Sequence, residues 1–233
     1  MKIKIFADGA NISEMLKIHK EGIVRGLTTN PTLLRKAGVT NYEEFAKNVL
    51  KEITDMPISF EVLSDDFESM EKEAVIINDW GKNTNVKIPI TNTKGESSLP
   101  LIKKLLEEGV QLNITAVLSL KQIIEINEAL SFYPDSEVIV SIFAGRIADT
   151  GVDPIPIMKK AVKMFKDKNV EVLWASSREL LNIIQAEKCG CHIITVTPNI
   201  LSKLSMIGKD LDELSLDTVK MFMTDAIASG FKI

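Results

Sequence analysis

A lysine inside a short apolar run is the residue of this sequence best suited to covalent chemistry. Lys87 lies within Val86–Ile90, where an ammonium group would lose much of its hydration, and desolvation lowers the pKa of an amine. A neutral amine can attack a carbonyl and dehydrate to an imine, which then acts as an electron sink. The alternative interpretation is a snorkelling or salt-bridged lysine on an edge strand.

Two acids at the ends of other strand-like runs are candidate proton carriers. Asp8 ends the first run and Glu61 lies in the third, so both could serve carbinolamine formation and carbon–carbon cleavage. Each acid considered alone is also typical of a helix cap or an ion pair.

Two of the four arginines follow neighbouring strand-like runs. Arg146 and Arg178 lie beside small residues such as Gly145 and Ser176, which allow close backbone approach. Because guanidinium forks match phosphate oxygens, the pair predicts an anion site. Ordinary helix-end or surface arginines are the alternative.

Eight apolar runs of strand length alternate with segments of helical period, at about 29 residues per unit. This order favours one domain over 1–233, a closed (β/α)8 TIM barrel of parallel strands, with a C-terminal helical segment at about 210–230. An open doubly wound sheet is the competitor, but Asp8–Asn11 carries no Gly-rich phosphate loop. The predicted strands are Ile3–Ala7, Gly26–Thr28, Ile58–Val62, Asn85–Ile90, Gln111–Val117, Val138–Phe143, Val170–Ala175 and His192–Val196.

The C-terminal ends of barrel strands hold the chemistry of this fold, and most of these runs end in polar residues. Asn113 and Thr115 are two residues apart and therefore share one strand face. Asn30 follows the second run, and Ser141 lies in the sixth.

Composition and charge exclude several classes of function. The 233 residues include 28 basic and 32 acidic side chains, a net charge of −4, so nucleic-acid and anionic-membrane binding are not expected. The sequence predicts no membrane span and no signal peptide, and hence cytoplasmic localisation.

The histidines and cysteines do not suggest a metal centre. His19 and His192 are far apart in the sequence, and Cys189 and Cys191 are expected to be free thiols. The lysine route is therefore favoured over a metal-dependent aldolase, and no metal or other cofactor is expected.

Six short blocks occur in an order that matches a known family. With them the chain resembles, nearly end to end, the transaldolases, and specifically the small group that includes fructose-6-phosphate aldolase. The blocks are Phe6–Ile12, Gly26–Thr32, Val86–Pro89, Asn113–Thr115, Phe143–Arg146 and Ala175–Arg178.

The resemblance implies a class I aldol mechanism on sugar-phosphate substrates. Lys87 would form a Schiff base with the C2 carbonyl of a ketose phosphate, and Asp8 would take the C4 hydroxyl proton as the C3–C4 bond breaks. Glu61 and Thr115 would hold the water that shuttles protons. The remaining implied substrate-binding residues are Asn30, Asn113 and Ser141 at the hydroxyls of the dihydroxyacetone unit, Arg146, Ser176 and Arg178 at the phosphate, and Phe143.

Three positions favour transfer to an acceptor over simple cleavage. The aldolase branch resembles a variant with Gln, Tyr and Lys where this chain has Glu61, Phe143 and Arg178. A phenylalanine cannot protonate a released enamine, so we expect a transaldolase. The alternatives are an aldolase that uses free dihydroxyacetone and a non-catalytic sugar-phosphate-binding barrel. A homo-oligomer is also expected, although the sequence departs from the family at Gly9, Ile142 and the C-terminal segment.

Overall fold

Eight parallel strands form a closed barrel in the computed structural model, which describes residues 2–232. Neighbours in sequence are neighbours in the barrel, and the last strand pairs with the first. The predicted (β/α)8 fold is confirmed. The strands are β1 (Lys4–Asp8), β2 (Gly26–Thr28), β3 (Ile58–Glu61), β4 (Thr84–Pro89), β5 (Leu112–Val117), β6 (Val138–Ile142), β7 (Val170–Trp174) and β8 (Ile193–Val196).

Helices follow the strands and cover the outside of the barrel. Their apolar faces pack against outward-facing strand residues such as Ile88, Ile114 and Val140, which are fully buried. The helices are α1 (Ile12–Glu21), α2 (Pro31–Lys36), α3 (Tyr42–Glu52), α4 (Phe67–Asn78), α5 (Leu99–Glu107), α6 (Leu120–Leu130), α7 (Ala144–Asp149), α8 (Ile155–Met164), α9 (Leu181–Cys189), α10 (Pro198–Leu201) and α11 (Leu211–Ser229), with a 3-10 turn at Leu204–Met206.

Local signals explain where several of these helices begin. Asn11 and Asn41 cap α1 and α3 by accepting hydrogen bonds from backbone N–H groups of the first turn. Ser119 and Gln122 form a reciprocal capping box at α6. Such caps satisfy donors that have no partner inside the helix.

A small apolar cluster occupies one part of the barrel interior. Phe6, Ile139, Leu173 and Ile193 form it together with Ala175, separately from the larger core between strands and helices. Because strand side chains alternate between the two faces, the residues two positions further along also point inward. The apolar cluster therefore forms a floor beneath the C-terminal strand ends.

The C-terminal helix differs from the others. In the part of the chain that the structure describes, no residue of α11 is buried, and Met221, Phe222 and Met223 are more than half exposed. The apolar side chains of α11 are thus only partly covered by the rest of residues 2–232.

Gly26 packs closely against the aromatic ring of Phe6, since a Cβ atom at Gly26 would lie 2.5 Å from Cζ of Phe6. We expect Gly26→Ala to lower the free energy of unfolding by about 1–3 kcal/mol, the usual cost of overpacking. Gly9→Ala is the control, because nothing lies within 4 Å of its Cβ position. Urea unfolding of both variants measures the difference, and equal stabilities would contradict this packing.

Candidate active site

A cavity of about 180 Å³ opens at the C-terminal ends of the strands. Eight of the eleven predicted site residues line it, and Glu61, Asn113 and Arg178 lie beside it. The predicted residues in the lining are Lys87, Asp8, Thr115, Asn30, Ser141, Phe143, Arg146 and Ser176, and the others are Thr28, Thr32, Leu33, Leu173, Ala175 and Thr195.

A larger hollow of about 850 Å³ lies at the opposite end of the barrel, around the N-terminal strand ends. Lys4 and Glu171 in its wall form an ion pair of 2.7 Å, and Arg25 donates to the backbone carbonyls of Gly22 and Val24. These three charged side chains are thus engaged with the protein, and catalysis in this fold belongs to the other end.

Lys87 is only 6% exposed, and its ammonium group has two polar partners. Nζ lies 2.9 Å from Oε2 of Glu61 and donates to the carbonyl oxygen of Thr29 at 2.8 Å. The register places Glu61 directly opposite Lys87 on neighbouring strands β3 and β4. The predicted burial of Lys87 is confirmed, but the amine is compensated by an ion pair and a carbonyl rather than surrounded only by apolar groups.

Asp8 lies at the end of β1, and its Oδ1 accepts a hydrogen bond of 2.9 Å from the Thr28 hydroxyl. Burial raises the pKa of the Asp8 carboxyl above its ordinary value of 3.8, although the Lys87 charge and the Thr28 hydrogen bond act in the opposite direction. A carboxyl whose pKa moves toward neutrality is better suited to exchange protons with substrate.

A chain of hydrogen bonds crosses the barrel interior beneath the cavity. The Ser141 hydroxyl donates to Asn113 Oδ1 at 2.6 Å, and Asn113 Nδ2 donates to the Ser59 hydroxyl at 3.1 Å. These bonds hold the buried amide of Asn113 in one orientation. The Ser141 oxygen faces the cavity and keeps capacity to accept from a ligand.

Thr115 has a buried hydroxyl without a hydrogen-bond partner among residues 2–232. It lines the cavity and is followed by Ala116, whose φ of 59° is left-handed. The register between β5 and β6 shifts at this point. Such irregularities redirect side chains next to active sites, and a buried hydroxyl of this kind can bind water or substrate.

Asn30 both caps a helix and lines the cavity. It is the N-cap of α2, where Oδ1 accepts from the backbone N–H of Leu33 at 3.0 Å. The cap leaves the two N–H donors of the amide for the cavity, which Asn30 also lines.

Arg146 and Arg178 are placed differently. Arg146 lines the cavity, with its guanidinium 5.4 Å from the ring centre of Phe143. Arg178 forms a two-point ion pair with Asp149, from Nε at 3.0 Å and Nη2 at 2.5 Å. The structure therefore brings one of the two predicted arginines into the cavity wall and pairs the other with a carboxylate.

Ser176 connects the two arginine-bearing segments. Its φ of 60° is left-handed, and its carbonyl oxygen accepts a hydrogen bond of 3.0 Å from Nη1 of Arg178. That oxygen would lie 1.6 Å from a Cβ atom at Gly145. Only glycine fits there, so Gly145 is required for this close approach between α7 and the end of β7.

Two residues that matter to the geometry were not predicted. Thr28 bonds Asp8, and the Tyr42 hydroxyl contacts the backbone of Glu61. Thr28 could have been found, since it ends a strand beside Asp8. Tyr42 begins a helix far from any strand end in the sequence, and nothing in its pattern signals this contact.

Among residues 2–232, no three His, Cys, Asp or Glu side chains come close enough together to hold a metal ion. None of the helices in this range combines the length and the apolar character that a bilayer span needs.

Comparison with known proteins places the chain in a family. The family described as Transaldolase/Fructose-6-phosphate aldolase matches residues 5–233. The chain belongs to this family. A relative from Clostridium kluyveri named "Probable transaldolase" is 35% identical over 204 residues, which cover 87% of this chain and 89% of that protein. A relative of the same name from Thermoanaerobacter sp. is 33% identical over 233 residues, covering 99% and 100%.

A solved structure supports the fold at much lower identity. The crystal structure of a 3-hexulose-6-phosphate synthase has a TM-score of 0.57 and 14% identity to this chain. The match covers 84% of this chain and 90% of that one. Similarity at this level shows a shared barrel, and the transaldolase/fructose-6-phosphate aldolase assignment rests on the sequence relatives.

The raised pKa of Asp8 gives this family member a testable pH dependence. A carboxyl that holds its proton more tightly in the fold stabilises the fold below pH 3.8, and this stabilisation is lost as pH rises through the folded-state pKa. We therefore expect Asp8→Asn to raise Tm at pH 7 by at least about 2 °C. The gain should disappear toward pH 3.5.

Asp149→Asn is the matched control for this measurement. Hydrogen bonds from Arg178 lower the pKa of the Asp149 carboxyl, so its replacement should not raise Tm at pH 7. Thermal melts of the three proteins from pH 3.5 to 8 make the comparison. A Tm difference for Asp8→Asn that is constant with pH would refute the raised pKa of the Asp8 carboxyl.

Proposed function

We propose that this protein is a transaldolase that moves a dihydroxyacetone unit from a ketose phosphate, fructose 6-phosphate or sedoheptulose 7-phosphate, to an aldose phosphate. The observation that supports this most is the buried amine of Lys87 beside two acids, Glu61 at 2.9 Å and Asp8 across the same cavity. A Schiff-base enzyme needs an amine that reaches substrate and groups that carry protons to and from it.

In the proposed first half-reaction, the Lys87 ammonium group gives a proton to Glu61, and the resulting neutral amine attacks the C2 carbonyl of the donor. The carbinolamine then loses its oxygen as water, with Glu61 and a water held at Thr115 carrying the protons. The unpartnered Thr115 hydroxyl supports this assignment. The result is an iminium ion that accepts the electron pair of the C3–C4 bond.

Asp8 then takes the proton of the C4 hydroxyl as that bond breaks, and the aldose phosphate leaves. The dihydroxyacetone enamine stays on Lys87, where Asn30, Asn113 and Ser141 would hold its hydroxyls. Addition to an acceptor aldehyde reverses these steps. The raised pKa of Asp8 supports its role, because the same group must accept a proton and later return it.

Arg146 is the residue best placed to bind the phosphate group. It is a cation in the wall of the cavity that Ser176 also lines. Asp149 and the Ser176 carbonyl engage three of the five N–H donors of Arg178, so Arg178 would contact the phosphate through its two remaining donors.

Phe143 supports transfer over simple cleavage. Its ring lines the cavity and carries no acidic proton, so the enamine would persist until an acceptor aldehyde arrives. An aldolase that releases free dihydroxyacetone is the second candidate among enzymes of this family.

The expected homo-oligomer has one structural support. The helix α11 exposes Leu216, Val219, Phe222 and Ile227 by more than half. An isolated helix is marginal in water and gains most of its stability from packing of an apolar face. We propose that α11 packs against a second copy of the chain.

Reductive trapping tests the chemistry. We expect borohydride with fructose 6-phosphate to leave a covalent mass increase on the peptide that contains Lys87. Lys87→Met should lose the adduct and at least about 1,000-fold of kcat, because no other group replaces a covalent nucleophile. Lys121→Met, at an exposed lysine, should keep both.

A coupled assay separates the candidate functions. Release of glyceraldehyde 3-phosphate from fructose 6-phosphate should require erythrose 4-phosphate as acceptor. Equal release without the acceptor would favour the aldolase. Binding of sugar phosphates without an adduct on Lys87 would instead favour the non-catalytic barrel.

The oligomer can be tested on its own. Wild-type protein should sediment as a multiple of the subunit mass, and Phe222→Asp should shift it toward the monomer, since a charge on a buried apolar contact is costly. Thr224→Asp, which adds the same charge at a polar position of α11, should shift it less. A monomeric wild-type protein would refute the proposal.

A further inference from the structure

The short strand β2 leaves a gap in the barrel beside Glu61. Between β2 and β3, Leu27 N–H donates to the Pro57 carbonyl and Thr29 N–H donates to the Ser59 carbonyl. In a parallel ladder the next bond would join Glu61 N–H to the Thr29 carbonyl. The chain turns into α2 immediately afterwards, at Pro31, so β2 offers no further partner to Glu61.

The Tyr42 hydroxyl takes the place of the missing strand. It accepts a hydrogen bond from Glu61 N–H at 2.8 Å and donates one to the Glu61 carbonyl at 3.1 Å. One side-chain oxygen thus satisfies both backbone groups that face β2. The opposite edge of β3 is held by the regular ladder, where Val62 N–H donates to the Lys87 carbonyl at 3.2 Å.

The Tyr42 hydroxyl, by replacing the strand partner, leaves the Thr29 carbonyl available to the Lys87 amine. Because Tyr42 satisfies Glu61 N–H, the Thr29 oxygen accepts from Nζ of Lys87 at 2.8 Å instead. The same arrangement fixes the backbone from which the Glu61 carboxylate reaches Nζ at 2.9 Å. Both polar partners of the amine therefore depend on where the Tyr42 hydroxyl lies.

Packing holds the Tyr42 ring in this position. It meets the rings of Trp80 and Phe60 edge to face, with centroids 5.2 and 6.2 Å away, a favoured geometry for aromatic pairs. Burial raises the pKa of the Tyr42 hydroxyl. The group therefore keeps its proton at neutral pH, as it must to donate and accept at once.

We propose that Tyr42 is a positioning residue that replaces the missing strand partner of Glu61 and thereby sets the geometry of Glu61 and Lys87. Tyr42 does not line the cavity among the residues described, so it acts through these two groups. The inference rests on the proposed function, since it concerns proton transfer at the Schiff-base amine.

Tyr42→Phe removes the hydroxyl and keeps the ring in its aromatic cluster. We expect about a tenfold lower kcat and a slower formation of the borohydride-trapped adduct, with KM changed less than about twofold. Small displacements of catalytic groups have effects of this size or larger. KM should change little because Tyr42 does not line the cavity. A general loss of structure would disturb substrate contacts and change KM as well as kcat.

Tyr133→Phe is the matched control, because the Tyr133 hydroxyl also makes one strong hydrogen bond, to Glu107 at 2.7 Å on the outside of the barrel. It should leave kcat and KM unchanged. Urea unfolding of both variants establishes that each retains a cooperative fold.

A double-mutant cycle shows whether Tyr42 acts through Glu61. In a Glu61→Gln background, we expect Tyr42→Phe to lower kcat by less than about threefold, because the carboxylate it positions is already gone. A full tenfold effect in that background would overturn the action of Tyr42 through Glu61, and a Tyr42→Phe variant with wild-type kcat would overturn the proposal as a whole.

The role of Tyr42 can be refuted without refuting the proposed transaldolase function. A wild-type protein that forms no adduct on Lys87 would refute the proposed function and this role with it. A wild-type protein that forms the adduct, together with an unimpaired Tyr42→Phe variant, would refute only the role of Tyr42.

Discussion

The ion pair between Lys87 and Glu61 is the interaction on which the arrangement of the barrel interior depends. A buried ammonium loses several kcal/mol of hydration, and removal of one partner of a buried pair typically costs about 3–5 kcal/mol. The pair therefore ties the register of β3 to that of β4, where Glu61 and Lys87 are direct neighbours. A slip by one residue would turn the Glu61 carboxylate toward the apolar helix layer.

The alternation of side chains between the two faces of a strand also separates an apolar floor from the polar site above it. Phe6 and Ile139 belong to the apolar cluster, while Asp8 and Ser141 lie two residues further along the same strands and face the cavity. Strands β1 and β6 thus contribute stability at one position and chemistry at the next inward one. Substitutions among the polar side chains that face the cavity therefore leave the apolar floor in place.

The fold and most of the site could be predicted because both follow from local pattern. Alternating strand and helix segments predict a parallel barrel, and parallel strands bring their C-terminal ends together. Asp8 is therefore recognisable from its position at the end of an apolar run, and Lys87 and Ser141 are recognisable as polar residues inside such runs. The pairing of Lys87 with Glu61 is different, because it depends on register, which the pattern of each strand does not specify.

Contacts between distant parts of the chain were beyond the sequence for the same reason. Two arginines after neighbouring strands predict a shared anion site, yet Asp149, three residues after Arg146, pairs with Arg178. A phosphate that used the whole guanidinium fork of Arg178 would have to replace the Asp149 carboxylate. The positive charge available to a ligand at the C-terminal strand ends is thus set by the Arg178–Asp149 ion pair as well as by the number of arginines. Only three-dimensional geometry shows which arginine lines the cavity.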